Sequence, residues 1–178
     1  KTMGFMSFFK SMPLRERHEK LMADLATAST EKKLRAVNTF FNRYVRYATD
    51  QLLHKQVDYW QTLDETLASG KGDCEDYALA KYLTLRKLGV PEEHLRLGWV
   101  FIRQGNVAHM VLLYVEDDKI TRVLDSITNK LTGKNRRRDL DFKFEFNGLG
   151  RWLEDGTLVT EGAGTDWQKY QDKLKGST

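Results

Sequence analysis

The single cysteine of the chain, Cys74, follows Gly72-Asp73 and opens a run whose apolar residues recur at helical spacing. A thiol at a helix N-terminus meets outward-pointing backbone N–H groups and the positive end of the helix dipole. Both favour a thiolate, so the position predicts a nucleophile with a lowered pKa and an N–H group able to hold an oxyanion. Three carboxylates, Asp73, Glu75 and Asp76, crowd the same sulfur and oppose its ionisation. A bound cation or a nearby imidazolium must offset them. The bland reading of Cys74 is a small core residue on a buried helix face.

A thiol nucleophile needs a base. Of the four histidines, His18 falls in a charged helical run and reads as a surface residue, and His54 and His94 fall in polar connections. His109 heads an apolar strand, between Ala108 and Met110, where its ring needs a partner. Asp125 closes the next strand. A hairpin folded around the polar stretch Glu116–Lys119 centres on residue 117 and sets His109 near Asp125 across the ladder. A carboxylate beside an imidazole fixes its tautomer and stabilises the imidazolium. Cys74, His109 and Asp125 thus supply nucleophile, base and orienter for thiol acyl transfer.

The elements that must position these groups are legible in the pattern. A helix is expected from Pro13 to about Ala28, and a second from an N-cap at Thr30, with Leu34, Val37, Phe41, Tyr44 and Val45 on one face. Thr62-x-x-Glu65 has capping-box spacing and Gly70 ends that short helix. The helix after Asp73 carries Cys74, Tyr77, Ala78, Tyr82, Leu85 and Leu88 on one apolar face, and stops near Gly89 and Pro91. Strands are expected at 95–101, 108–115, 120–125, 142–146 and 157–160, with a turn at Gly105-Asn106 and a last polar helix over 165–174. Helices first and antiparallel strands second predict an α+β fold: one domain over 1–178, helical over about 13–90 and β over about 94–160.

Composition narrows the rest. The chain has 178 residues, 40% of them hydrophobic, which suits one domain with a real core. One cysteine excludes an internal disulfide and a four-cysteine zinc site. No apolar run approaches a membrane span. The net charge of +4 is mild and implies no nucleic-acid partner. The basic residues Lys130, Lys134, Arg136, Arg137 and Arg138 read as a solvated loop. The opening KTMGFMSFFK is hydrophobic but broken by lysine and glycine, so it is no complete signal peptide and suits a docking arm.

Asp58-Tyr59-Trp60, Thr62, Glu65 and above all GKGDCEDYALAKY at 70–82 resemble the bacterial transglutaminase-like cysteine proteinases. LGV at 88–90, LR at 95–96, AHMVLLY at 108–114, VLDS at 123–126 and RRRDLDFKFEFNGLGRWL at 136–153 agree with it. The resemblance spans roughly Val45 to Leu153. The chain departs from the family's usual pattern at Ser126, where Asn is usual, and at Leu63, where proline is common. The resemblance implies a papain-like, transglutaminase-like fold, with a helical lobe packed on an antiparallel sheet. It implies a Cys–His–Asp triad, which falls on Cys74, His109 and Asp125. It implies dependence on Ca2+, held by Asp73 and Glu75, with Asp76 and Asp58 as further candidates. A periplasmic endopeptidase is implied, cutting a large cell-surface adhesin near its N-terminus and so releasing the cell from a biofilm. An inner-membrane cyclic di-GMP receptor is implied as the sequestering partner. Transglutaminase or amidase chemistry on the same fold, and a non-catalytic interaction module, are the alternatives. Trp60 suits a place beside an oxyanion, though a tryptophan is more often a packing residue.

Overall fold

The computed structural model describes residues 12–117, 120–160 and 164–176. The opening segment, read as a docking arm, lies outside the described residues. Helices α1 (Leu14–Leu25) and α2 (Thr30–Tyr44) come first. A two-residue strand β1 (Arg46–Tyr47), the one-turn helix α3 (Asp50–Leu53), helix α4 (Leu63–Ser69), strand β2 (Lys71–Gly72) and helix α5 (Cys74–Lys87) follow. The second half supplies β3 (Leu95–Ile102), β4 (Val107–Asp117), β5 (Ile120–Leu124), β6 (Thr132–Gly133), β7 (Leu140–Asn147), β8 (Gly150–Trp152) and β9 (Leu158–Val159), and then α6 (Thr165–Gly176). Strands β3 to β9 form one antiparallel sheet in the order β6-β5-β4-β3-β7-β8-β9. The α+β expectation is met.

Local chemistry explains the element ends. Thr62 and Glu65 form the expected capping box, and Gly70 ends α4 at φ 61°, a left-handed conformation that favours glycine. The cap of α2 is Ser29, one residue before the expected Thr30; its hydroxyl accepts from the Lys32 N–H at 3.4 Å. α1 stops at Leu25, short of the expected Ala28.

Helix α5 is the centre of the molecule. The sequence suggested one apolar face, but Tyr77, Ala78, Leu79, Ala80, Lys81, Tyr82, Thr84 and Leu85 are all buried, so the helix is covered on most sides. It packs against α2, α4 and β4. Alternation along the sheet then divides its residues between two layers. Leu97, Met110, Leu112, Leu124 and Phe146 join the main core under the helices. Val100, Val111, Leu113, Val123 and Leu140 form a second cluster on the other face.

The β4–β5 hairpin differs from the expected register by two residues. Leu112 faces Leu124 and Leu113 faces Val123, because β4 runs on to Asp117 through a bulge after Val115. A shift of two keeps every side chain on its face. His109 and Asp125 therefore stay on one side of the hairpin, as diagonal neighbours and not as a directly opposed pair.

Candidate active site

Two short contacts bring the site together. The first is β1 against β2, a parallel pair with Tyr47 opposite Gly72. The Ala48 N–H extends it to the Gly72 carbonyl at 2.9 Å. The residues that follow each strand are thus set side by side, and Asp50 at the start of α3 meets Asp73 at the start of α5. The second is α5 against β4, which sets Cys74 beside the backbone of Met110, the residue after His109.

The GDCED run is locally determined. Asp73 is the N-cap of α5. Asp76 turns back beneath the strand, where it accepts from the backbone N–H groups of Gln61 at 2.9 Å and Asp73 at 3.2 Å, and from the Gln61 amide at 2.5 Å. A Cβ at position 72 would lie 2.6 Å from the Asp76 Cβ, so the glycine is required by that close approach.

His109 Nε2 meets Asp125 Oδ1 at 2.8 Å, with both residues buried. This leaves Nδ1 as the nitrogen available for proton exchange. Asp125 Oδ1 also accepts from the Ile127 N–H at 3.1 Å, and Oδ2 accepts from Arg137 Nη2 at 2.7 Å. Burial works against ionisation of Asp125, but the bonds from His109 and Arg137 outweigh it and hold the carboxyl below the ordinary range. The Asn42 amide fixes the Asp125 backbone carbonyl at 2.8 Å.

At Cys74 the electrostatics run the other way. The Cys74 thiol donates to Glu75 Oε2 at 3.0 Å. Burial, the charge and hydrogen bond of Glu75, and the charge of Asp73 push the thiol well above the ordinary range, against the help of the Met110 N–H. The expected low pKa is therefore not a property of the chain alone, because the helix end is outweighed by its own carboxylates.

Those carboxylates form a group. Asp50, Asp73 and Glu75 each offer an oxygen, and the three oxygens lie within 4.8 Å of one another. Burial, then the charges of Glu75 and Asp50, raise Asp73 from 3.8 to about 8. Burial also raises Glu75 and Asp50. Oδ1 of Asp50 and Oδ1 of Asp73 are buried with no hydrogen-bond partner among the described residues. Clustered oxygen donors with orphaned, mutually repelling oxygens fit a hard divalent cation such as Ca2+.

The sequence-predicted metal residues divide. Asp73 and Glu75 are in this group. Asp76 is outside it, its carboxylate held by Gln61 and the Asp73 N–H. Asp58 is exposed and accepts the Trp60 indole N–H at 3.0 Å, also outside the group. That bond occupies the Trp60 donor, and its ring packs on Phe146 and Tyr170. Asp50 was missed, because only the β1–β2 pairing carries it to Asp73 across more than twenty positions of chain. Arg137 was misread as part of a solvated loop. It is buried, while Arg136 and Arg138 beside it are exposed. His18 is also buried against Thr84 at 2.9 Å, and burial lowers it to about 4.

Fold and site together define a transglutaminase-like cysteine peptidase. The chain belongs to the bacterial transglutaminase-like cysteine proteinase family, whose model matches residues 1–139. Among solved structures it is similar to LapG of Legionella pneumophila. The calcium-bound form of that protein has TM-score 0.81 and 31% identity, over 92% of this chain and 92% of that one. The EGTA-treated form has TM-score 0.81 and 30% identity, over 92% of this chain and 91% of that one. A search of curated proteins finds no match. Among the described residues no helix is long and apolar enough to cross a membrane.

Proposed function

We propose that the chain is a calcium-dependent cysteine endopeptidase in which Cys74 is the nucleophile, His109 the general base and acid, and Asp125 the orienter. The observation that carries this reading is the buried His109–Asp125 pair, set one residue from the backbone that meets the Cys74 sulfur. His109 Nδ1 takes the Cys74 proton, and Asp125 stabilises the imidazolium that forms. The sulfur attacks the scissile carbonyl, and N–H groups at the head of α5 receive the developing oxyanion. The imidazolium then protonates the leaving amine, and water, deprotonated by the imidazole, hydrolyses the thioester.

Asp50, Asp73 and Glu75 would hold the calcium ion. When bound, calcium supplies positive charge against those carboxylates and so removes the main electrostatic obstacle to a Cys74 thiolate. The calcium-bound form of the similar Legionella protein supports this reading. As the family resemblance of the GKGDCEDYALAKY run implies, the proposed substrate is a large cell-surface adhesin cut near its N-terminus in the periplasm, and the proposed sequestering partner is an inner-membrane cyclic di-GMP receptor.

The test is incubation with an adhesin N-terminal domain, with calcium and with a chelator. Cleavage with calcium, lost on chelation and lost in a folded Cys74→Ala variant, is expected. Cleavage that survives in Cys74→Ala sinks the mechanism, and cleavage indifferent to chelation sinks the metal role.

A further inference from the structure

The loop between β6 and β7 carries one buried cation among exposed ones. Arg137 is 9% exposed, although both its neighbours are exposed and the stretch reads as a basic surface loop. Its guanidinium is held from two sides. Nε donates to Asp139 Oδ1 at 2.9 Å, and Nη2 donates to Asp139 Oδ2 at 2.8 Å and to Asp125 Oδ2 at 2.7 Å. Asp139 thereby fixes the fork, and the fork fixes Asp125.

We propose that Arg137 is a positioning residue for the triad: its guanidinium, aimed by Asp139, locks the Asp125 carboxylate so that Oδ1 faces the His109 ring. This rests on the peptidase reading and deepens it. A carboxylate can rotate about its bond to Cβ. Here each oxygen has its own donor, His109 and Ile127 on Oδ1 and Arg137 on Oδ2, so rotation would break a charge-assisted bond on both sides. A lysine would keep the charge but lose the planar fork that joins Asp125 to Asp139.

The other charged groups near the His109–Asp125 pair are Lys81 of α5, whose buried ammonium interacts with Asp125, Asp139 beside Arg137, and Glu75 and Asp73 beside Cys74. Removing the guanidinium frees the Asp125 carboxylate to turn, and the His109 ring then loses the acceptor that fixes its tautomer.

The experiment uses the calcium-loaded chain and needs no substrate. Iodoacetamide reads Cys74 alone, because the chain has one cysteine. Alkylation at neutral pH is expected to fall about tenfold in Arg137→Gln, the effect of one lost hydrogen bond to a charged group. It should fall less in Arg137→Lys. In parallel, nitrogen NMR of the imidazoles is expected to show the His109 proton held on Nε2 in the parent and in Arg137→Lys, and shared between both ring nitrogens in Arg137→Gln. A merely structural role would lower the melting temperature and leave the His109 tautomer as in the parent. Parent-like alkylation and a parent-like His109 tautomer in a folded Arg137→Gln variant would overturn the proposal. A parent chain alkylated no faster than a free thiol would instead remove the peptidase reading beneath it.

Discussion

Two carboxylate environments sit at opposite ends of one site, and their electrostatics have opposite signs. Asp125 is buried, yet it is held ionised by His109, Arg137 and a backbone N–H. Asp50, Asp73 and Glu75 repel one another, and their pKa values rise. The difference is positive charge. At the base the protein supplies it, from Arg137. At Cys74 no ion pair offsets Asp50, Asp73 or Glu75 among the described residues, and Glu75 takes the thiol hydrogen bond instead. Under the proposed mechanism, the orienting end of the site is thus complete in the folded chain, while the nucleophilic end calls for a cation from outside.

The comparison is most severely tested by removing the nucleophile. Cys74→Ala should lower cleavage by roughly 10⁴-fold or more, with an unchanged melting curve. Residual cleavage near the parent rate would dissolve the contrast, since the charged ends would then serve no thiol.

Neutralising each end in turn should have opposite effects on calcium-free stability. Asp125→Asn leaves Arg137 buried against a neutral side chain, and breaking such a pair costs about 3–5 kcal/mol. Asp73→Asn removes a buried carboxyl that must take up a proton or repel its neighbours on folding, and should raise the melting temperature. Differential scanning calorimetry of both variants in chelator reads the signs directly. Two shifts in the same direction would mean that the two ends do not differ as described.

A smaller effect is a slope with pH. The Asp73 carboxyl is raised from 3.8 to about 8, and burial first of all raises Asp76 to about 7. The unfolded chain releases these protons near pH 4, while the folded calcium-free chain keeps them to pH 7 or 8. More protons are bound in the folded state across that window, so calcium-free stability should fall as pH rises through it. The lowered Asp125 contributes with the opposite sign, fully present above the ordinary carboxylate range and lost only in acid. Melting temperatures from pH 5 to pH 8 in chelator should decline, and calcium should flatten the decline. A rise over that range would contradict the cluster's electrostatics.

The smallest expected effect is a control. Arg138→Gln, next to Arg137 but exposed, should change stability by no more than about 0.5 kcal/mol and leave alkylation of Cys74 unchanged.

Much of this was legible in the sequence where the cause is local. The Thr62–Glu65 box, the stop at Gly70, the α5 start at Asp73 and the strand order of the central hairpins follow from short-range chemistry. His109 and Asp125 were reachable because hairpin geometry tolerates an even register error without changing faces. Asp50 and Arg137 were not reachable, because each depends on a tertiary contact with no periodic signature. Asp50 arrives through a two-residue parallel pairing, and Arg137 turns inward from a run whose neighbours both face water. The Cys74 environment was half legible. Carboxylate crowding could be counted along the chain, but the Cys74–Glu75 hydrogen bond that decides the sign required the structure.

The central claim is that the acidic group suppresses ionisation of Cys74 until its charge is offset. Ultraviolet absorbance of the thiolate, followed against pH for the single cysteine, measures this most directly. In chelator the thiol should titrate above a free cysteine, and with saturating calcium its apparent pKa should fall to neutrality or below. Identical titrations with and without calcium would contradict the account.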